Sequence, residues 1–209
     1  MNGRLIAIGD IHGEYYKLEN LLEKIAPTAQ DRFVFLGDYI DRGLYSKEVV
    51  DKLLDLSKFC PCEFLTGNHE YYLLKTYQGD KSAEYFFMTY GGVQTIESYG
   101  SFENIFKIHG DFYNNLKQYY IENDYCFVHG GIEPNKTLAE QDEFNMLMIR
   151  DEFINNPVTL GKKVVFGHTP FEKPLVMPDK IGIDTGSGKY ENSYITALIC
   201  GEEKFVFSD

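Results

Sequence analysis

Short apolar runs and amphipathic stretches alternate along the first half of the chain. Apolar runs, each followed by a polar or glycine-containing turn, predict strands at 4–8, 33–36, 63–65, 125–128, 163–166, 180–183 and 193–200. Such continuous runs are typical of strands buried on both faces. Apolar residues recur every three or four positions in 14–25 and 46–58, which predicts two helices. The alternation indicates an α/β fold, and the strand-like, helix-free end of the chain indicates a mixed sheet.

Residues 71–122 interrupt this alternation. The segment is rich in tyrosine and phenylalanine and contains Gly91-Gly92, so we interpret it as a helical insertion between two strands. An aromatic stripe of this kind usually serves packing, although insertions also shape pockets. We expect a single domain over 1–209, with the insertion at about 71–122.

Composition narrows the classes of partner. The 209 residues are 44% hydrophobic, which is enough for a sizeable core. A net charge of −12 disfavours nucleic acid and anionic membrane surfaces as partners. No apolar run approaches the roughly 20 residues of a membrane span, and no signal peptide is recognisable. Cys60-Pro-Cys62 lacks the spacing of a zinc or redox motif. A reducing cytoplasm is the expected compartment.

Polar residues recur directly after the predicted strands, with glycine nearby, and most of them are types that bind metals. They are Asp10 and His12, then Asp38, Asp41 and Arg42, then Asn68 and His69, and finally His129 and His168. The carboxyl ends of strands are where open α/β sheets bind ligands, so these segments can converge. Carboxylate, amide oxygen and imidazole suit divalent metals, and pairs of ions about 3.5–4 Å apart act on phosphates. The pattern predicts a two-metal site.

The same segments resemble a known family. The ordered set Gly-Asp-Ile-His-Gly, Gly-Asp-Tyr-Ile-Asp-Arg-Gly, Gly-Asn-His-Glu, His-Gly-Gly and Gly-His-Thr-Pro is similar to the calcineurin-like metallophosphoesterases. More narrowly, it resembles the phosphoprotein phosphatase branch, which includes Ser/Thr protein phosphatases, bacteriophage-type phosphatases and bacterial diadenosine tetraphosphate hydrolases. The resemblance covers residues 4 to about 200. It implies a four-layer fold in which two mixed sheets pack face to face between helices.

The resemblance also implies a set of metal ligands. Asp10 and His12 would bind the first ion, and Asp38 would bridge both ions. The second ion would be completed by Asn68, His129 and His168. A hydroxide held by the two ions would attack phosphorus directly, because coordination lowers the pKa of water. The bacterial relatives suggest manganese, while the donor set also permits iron, zinc or cobalt.

Four further residues carry catalytic expectations from the resemblance. His69 would protonate the leaving oxygen, with its side chain turned away from the metals because it follows Asn68 in an extended segment. Asp41 would orient His69 and keep it cationic. Arg42 and Arg150 would clamp the phosphoryl oxygens. The competing interpretation of Arg150 is a surface ion pair with an acidic neighbour.

Two partial motif matches in the last part of the chain carry no function in this interpretation. Asp184-Thr185-Gly186 resembles an aspartic protease triplet, but a second copy is absent. Gly186-Ser187-Gly188-Lys189 lacks the first glycine of a phosphate-binding loop and predicts a turn. His109 lies outside every motif and is expected to be structural or exposed.

The leading hypothesis is therefore a Ser/Thr protein phosphatase that also hydrolyses small phosphate esters. The alternative is a symmetrical diadenosine tetraphosphate hydrolase. His-Gly-Gly, where the hydrolases have His-Ala-Gly, favours the phosphatase. A non-catalytic scaffold would have lost a ligand or the acid, and all of them are present.

Overall fold

The strands of the chain form two mixed sheets. The computed structural model describes residues 3–209. Its strands are β1 (Leu5–Ile8), β2 (Arg32–Phe35), β3 (Cys62–Phe64), β4 (Tyr119–Glu122), β5 (Tyr125–Val128), β6 (Lys163–Phe166), β7 (Leu175–Val176), β8 (Lys180–Gly182), β9 (Thr196–Ile199) and β10 (Lys204–Phe207). The sheet orders are β10-β9-β1-β2-β3 and β4-β5-β6-β8-β7. In each sheet a parallel centre carries antiparallel strands, which confirms the mixed pairing.

Helices cover the outer faces of both sheets. They are α1 (Tyr15–Ile25), α2 (Ser46–Phe59), α3 (Asn68–Tyr77), α4 (Lys81–Phe87), α5 (Val93–Tyr99), α6 (Phe102–Asn114), α7 (Glu143–Met148) and α8 (Asp151–Asn155). A π-helical segment, Met88–Gly92, joins α4 to α5. The two helices expected at 14–25 and 46–58 are confirmed. Among residues 3–209, no helix has the length and apolar character needed to cross a membrane.

The alternation of side chains along the strands explains the layers. Ile6 and Ile8 of β1 pack with α1 and α2, whereas Leu5 and Ala7 face the other sheet, because successive residues point to opposite sides. Between the sheets, Ala7 belongs to one cluster with Phe127 and other residues of the second sheet. A third cluster packs the far face of that sheet against α7 and α8. The four-layer architecture is therefore confirmed.

The sequence pattern did not predict three of the strands, β4, β7 and β10. β7 has only two residues, and β4 and β10 are edge strands whose residues are largely half-exposed or exposed. β4 also lies inside the segment expected to be helical. The helices of that segment end at Asn114, and Tyr119–Glu122 pairs with β5 instead.

Candidate dinuclear metal site

The polar segments lie in the loops that follow β1, β2, β3, β5 and β6. These loops bring the candidate residues to one edge shared by the two sheets. Five of the candidates, His12, Asp38, Asp41, Arg42 and His168, adopt φ between 52° and 70°. Left-handed backbone at residues other than glycine costs free energy, and in folded proteins it clusters at functional sites. The strain therefore coincides with the predicted chemistry.

Asp38 lies between two groups of histidines. Its Oδ2 is 3.4 Å from His12 Nε2, and its Oδ1 is 3.5 Å from His129 Nε2. The carboxylate of Asp38 belongs to two clusters of possible ligand atoms, and within each cluster the atoms lie within 4.8 Å of one another. The first cluster also contains His12 and His69, and the second also contains His129 and His168. Because a carboxylate has two oxygens, Asp38 can contact an ion on each side.

Backbone carbonyls fix the orientation of two of these imidazoles. His12 Nδ1 donates to Ile40 O at 2.9 Å, and His129 Nδ1 donates to Leu36 O at 2.8 Å. In each ring the proton is then on Nδ1, and the lone pair of Nε2 faces Asp38. Metal-binding histidines are held by the same kind of contact to a carbonyl.

Asn68 supplies the observation that best fits a cation. Its Oδ1 lies 2.9 Å from His129 Nε2 and 2.8 Å from His168 Nδ1. With Nδ1 of His129 donating to a carbonyl, Nε2 and the amide oxygen are both acceptors, so a cation between them is stabilising. Burial, His129 and Arg150 lower the pKa of His168 to about 2, which keeps this ring neutral. The donor set therefore fits a divalent ion.

Asp10 lies on the other side of the site. It is buried, and its carboxylate accepts hydrogen bonds from the backbone N–H of His168 at 3.2 Å. It lines a space of about 30 Å³ together with His12 and Asp38, although it belongs to neither cluster of three. Burial, Asp184 and Asp38 raise the pKa of Asp10 well above its ordinary value. A cation in this space would relieve that repulsion.

His69 and Asp41 form a buried pair next to the cluster. Nδ1 of His69 lies 2.7 Å from Oδ2 of Asp41. Burial lowers the pKa of His69, but Asp38 and Asp41 outweigh it and the net shift is upward, which favours the proton donor. His69 is not in an extended segment as expected: it begins α3 with Asn68, where successive side chains diverge around the helix axis.

Ser46 and Thr95 hold Asp41 in place, a role that no sequence motif indicates. Thr95 Oγ1 donates to Asp41 Oδ1 at 2.6 Å, and both hydroxyls accept the backbone N–H of Asp41. Thr95 lies 54 residues from Asp41, on α5. The insertion therefore supports the acid pair directly.

The two arginines reach the site from different loops. Arg42 Nη2 lies 3.2 Å from His69 Nε2, and Arg150 Nε donates to His168 Nε2 at 3.1 Å. Both line a cavity of about 550 Å³ that opens beside the metal cluster. Within the described residues, no ion pair joins Arg150 to Asp151 or Glu152, so the surface-pair interpretation is not supported.

Glu70 has a structural role that its motif alone did not reveal. Its carboxylate accepts backbone N–H groups of Asp38 at 2.9 Å, Tyr39 at 2.9 Å and Gly67 at 3.0 Å. These bonds join the loop after β2 to the loop after β3. The signal was present, since Glu70 completes Gly-Asn-His-Glu, but only the position of its partners shows its function.

Asp184 and Lys189 also adjoin the site. The predicted turn at 186–189 is present, and Gly188 has φ +67°. A Cβ on Gly188 would lie 2.6 Å from the Cβ of His12, so only glycine allows this turn to pack there. Both Asp184 and Lys189 line the small space that holds Asp10. Burial raises the pKa of Asp184 to about 6.

The remaining candidates are structural. His109 is buried, and its ring nitrogens lie 2.7 Å from Tyr99 Oη and 3.1 Å from Asp51 Oδ1. Cys60 and Cys62 are free thiols, and in residues 3–209 neither belongs to a cluster of metal-ligating groups.

Comparison with known proteins agrees with this geometry. The model of the calcineurin-like phosphoesterase family matches residues 3–201. This chain belongs to the calcineurin-like phosphoesterase family. The family uses divalent metals, and the two clusters around Asp38 are the candidate ligands here.

Relatives in this family fall into two groups. The Ser/Thr protein phosphatase PP2A-like PPG1 of Saccharomyces cerevisiae is 31% identical over 64% of this chain and 34% of its own length. The chain thus matches about a third of that relative. The asymmetrical bis(5'-nucleosyl)-tetraphosphatase PrpE of Oceanobacillus iheyensis is 27% identical over 95% of this chain and 89% of its own length. A crystal structure provisionally described as a diadenosine tetraphosphatase has a TM-score of 0.75 and 22% identity, covering 99% of this chain and 93% of that one, which supports the fold.

Proposed function

We propose that the chain hydrolyses phosphate esters at a dinuclear site bridged by Asp38. The observation that carries the proposal is the contact of its two carboxylate oxygens with different histidines, His12 and His129. Asp10 and His12 would hold one ion, and Asn68, His129 and His168 would hold the other. When bound, the two ions supply an activated water and neutralise charge on the phosphate. Manganese is the proposed metal, because oxygen and imidazole donors without thiolate suit it.

The remaining steps belong to the side chains of the chain. Arg42 and Arg150 bind phosphoryl oxygens and orient the phosphorus toward the attacking water. His69 gives the proton on Nε2 to the departing oxygen, after Arg42 has turned from that nitrogen to the phosphate. Asp41 holds Nδ1 of His69 and stabilises its cationic form.

Two substrate classes follow from the relatives. Phosphoserine or phosphothreonine in proteins is supported by the similarity to the Ser/Thr phosphatases, which extends over 64% of the chain. Diadenosine tetraphosphate is supported by a relative that aligns with 95% of the chain and most of its own length. The name of that relative specifies asymmetrical cleavage, which gives ATP and AMP. Symmetrical cleavage would give two ADP, so the products distinguish the two reactions.

The test uses the metal-free protein. After chelation, phosphate release from glycerol 2-phosphate and from a phosphothreonine peptide is measured with and without added Mn²⁺, and the nucleotides formed from diadenosine tetraphosphate are separated by chromatography under the same conditions. We expect hydrolysis only with the metal, and loss of hydrolysis in Asp38→Asn. Metal-independent hydrolysis, or no hydrolysis of any of the three substrates, would contradict the proposal. The same protein is expected in a reducing cytoplasm, since its four cysteines are free thiols.

A further inference from the structure

The cavity beside the metal cluster has walls of two different kinds. Its volume is about 550 Å³, far more than a single phosphate needs, and His69 opens into it. Because His69 is the proposed proton donor to the leaving group, the leaving group occupies this cavity. The composition of the walls therefore reports on the part of the substrate that departs.

One wall is a row of three aromatic rings. Tyr72 and Phe86 lie with ring centroids 5.0 Å apart and planes 18° apart, and Phe86 and Tyr90 are 6.1 Å and 7° apart. All three line the cavity. Phe86 and Tyr90 keep 38% and 51% of their surface exposed, which is high for rings whose only function is packing. A near-parallel row of rings is suited to stacking with another flat ring.

This wall is fixed to the catalytic residues. Tyr72 lies four residues after Asn68 on α3, so the two side chains share one face of the helix. Tyr90 precedes Gly91, whose carbonyl accepts the backbone N–H of Arg42 at 3.3 Å. A Cβ on Gly91 would lie 2.3 Å from that nitrogen, and the residue has φ +113°. The row of three aromatic rings is therefore held at a fixed place relative to Arg42, one of the two arginines proposed to bind phosphate.

The remainder of the cavity lining carries three cationic side chains. Arg42, Arg150 and Lys189 line the cavity, and none of its lining residues is a carboxylate. Across residues 3–209, no carboxylate oxygen lies within 4.0 Å of a charged nitrogen of these three side chains. In a chain with a net charge of −12, three unpaired cations around one cavity are unexpected. Two arginines are sufficient for one phosphoryl group, so Lys189 is available for a further negative group.

We propose that this cavity is a nucleotide subsite, in which the Tyr72–Phe86–Tyr90 row stacks on a nucleobase and Lys189 binds a phosphate beyond the one at the metals. The proposal rests on the phosphoesterase activity proposed above and selects nucleoside polyphosphates as the substrate class. A phosphoserine or phosphothreonine side chain has neither a ring for the wall nor a second phosphate for Lys189.

The test compares substrates that differ by one feature. Diadenosine tetraphosphate carries bases and several phosphates, tripolyphosphate has no base, and glycerol 2-phosphate has one phosphate and no ring. For Tyr90→Ala and Phe86→Ala, we expect the ratio of kcat/KM for the dinucleotide to that for tripolyphosphate to fall about tenfold, as base stacking implies. For Lys189→Met, the ratio for tripolyphosphate to glycerol 2-phosphate should fall about tenfold.

Matched controls separate recognition from folding. Tyr85 is 68% exposed, neighbours Phe86 on α4 and does not line the cavity, so Tyr85→Ala should keep the ratio. Lys173→Met is the control for Lys189→Met, because Lys173 is exposed and does not line the cavity, and it should also keep the ratio. Unchanged ratios in the Tyr90 and Lys189 variants would overturn the subsite, as would wild-type preference for a phosphotyrosine peptide over the dinucleotide. Hydrolysis of glycerol 2-phosphate alone would overturn the subsite and keep the phosphoesterase, whereas no metal-dependent hydrolysis at all would remove both.

Discussion

Oδ2 of Asp41 lies 2.7 Å from Nδ1 of His69, and both side chains are buried. The pair leaves Nε2 of His69 as the nitrogen that faces the cavity. Thr95 Oγ1 fixes the other carboxylate oxygen of Asp41 at 2.6 Å. Because the imidazole can neither turn nor lose its partner without breaking these bonds, it is suited to deliver a proton in one direction.

The first prediction concerns this proton. His69→Asn should lower kcat for glycerol 2-phosphate about 100-fold, since an alkoxide leaves poorly without an acid. The loss should be much smaller for p-nitrophenyl phosphate, because nitrophenolate needs no proton to depart. Steady-state rates on the two substrates measure the difference. Equal losses on both would show that His69 is not the acid.

The second prediction concerns His12. The residue has φ +52°, which asparagine tolerates better than most residues, so His12→Asn should fold with little loss of stability. It should weaken binding of one Mn²⁺ by about 100-fold or more, measured by titration calorimetry, because the shorter asparagine side chain does not reach the ion. His109→Ala is the control: it loses contacts to Tyr99 and Asp51, so stability should fall while metal affinity stays constant. The reverse pattern would contradict the assignment of His12.

The third prediction concerns Gly91, whose backbone packs against that of Arg42. Gly91→Ala would place a Cβ 2.3 Å from the nitrogen of Arg42, so we expect Arg42 to shift and kcat/KM for phosphate esters to fall about tenfold. Gly79→Ala provides the comparison, because Gly79 also has a positive φ, of +91°, but faces open space. That variant should lose stability and keep kcat/KM. A loss of activity in both variants would point to backbone strain alone.

The fourth prediction concerns stability and pH away from the site. Arg4 holds the pKa of the buried Asp31 well below its ordinary value, through contacts of 2.6 Å and 3.1 Å. A carboxyl with a lowered folded pKa stabilises the protein above its unfolded pKa, near 4, and this contribution is lost as pH falls toward the folded value. Asp31→Asn should cost about 2 kcal/mol in urea unfolding at pH 7. The difference from wild type should shrink below about pH 4, and a constant difference down to pH 3 would contradict the linkage.

The sequence predicted the parts of this molecule that local patterns encode. Apolar runs marked β1 and β5 because both faces of these strands are buried. β4 was missed since a half-exposed edge strand beside a helical segment has no continuous apolar run. The family model confirms the recognised resemblance, whereas the role of each ligand remains a proposal.

The supporting residues could not be predicted, because their partners are distant in the chain. Thr95 contacts Asp41 across 54 positions, and nothing in its neighbours marks it. Lys189 lies in a segment whose sequence predicts only a turn. The turn is real, but its packing against His12 depends on Gly188 and on the tertiary fold. Local sequence therefore indicated the chemistry, and only the fold shows what positions it.

The most direct test of the central claim is anomalous diffraction from crystals of the chain grown with Mn²⁺. The geometry at Asp38 predicts two anomalous peaks about 3.5–4 Å apart, one beside His12 and one beside His129. The carboxylate of Asp38 should lie between them and contact both. A single peak, or two peaks that do not share Asp38, would contradict the dinuclear assignment.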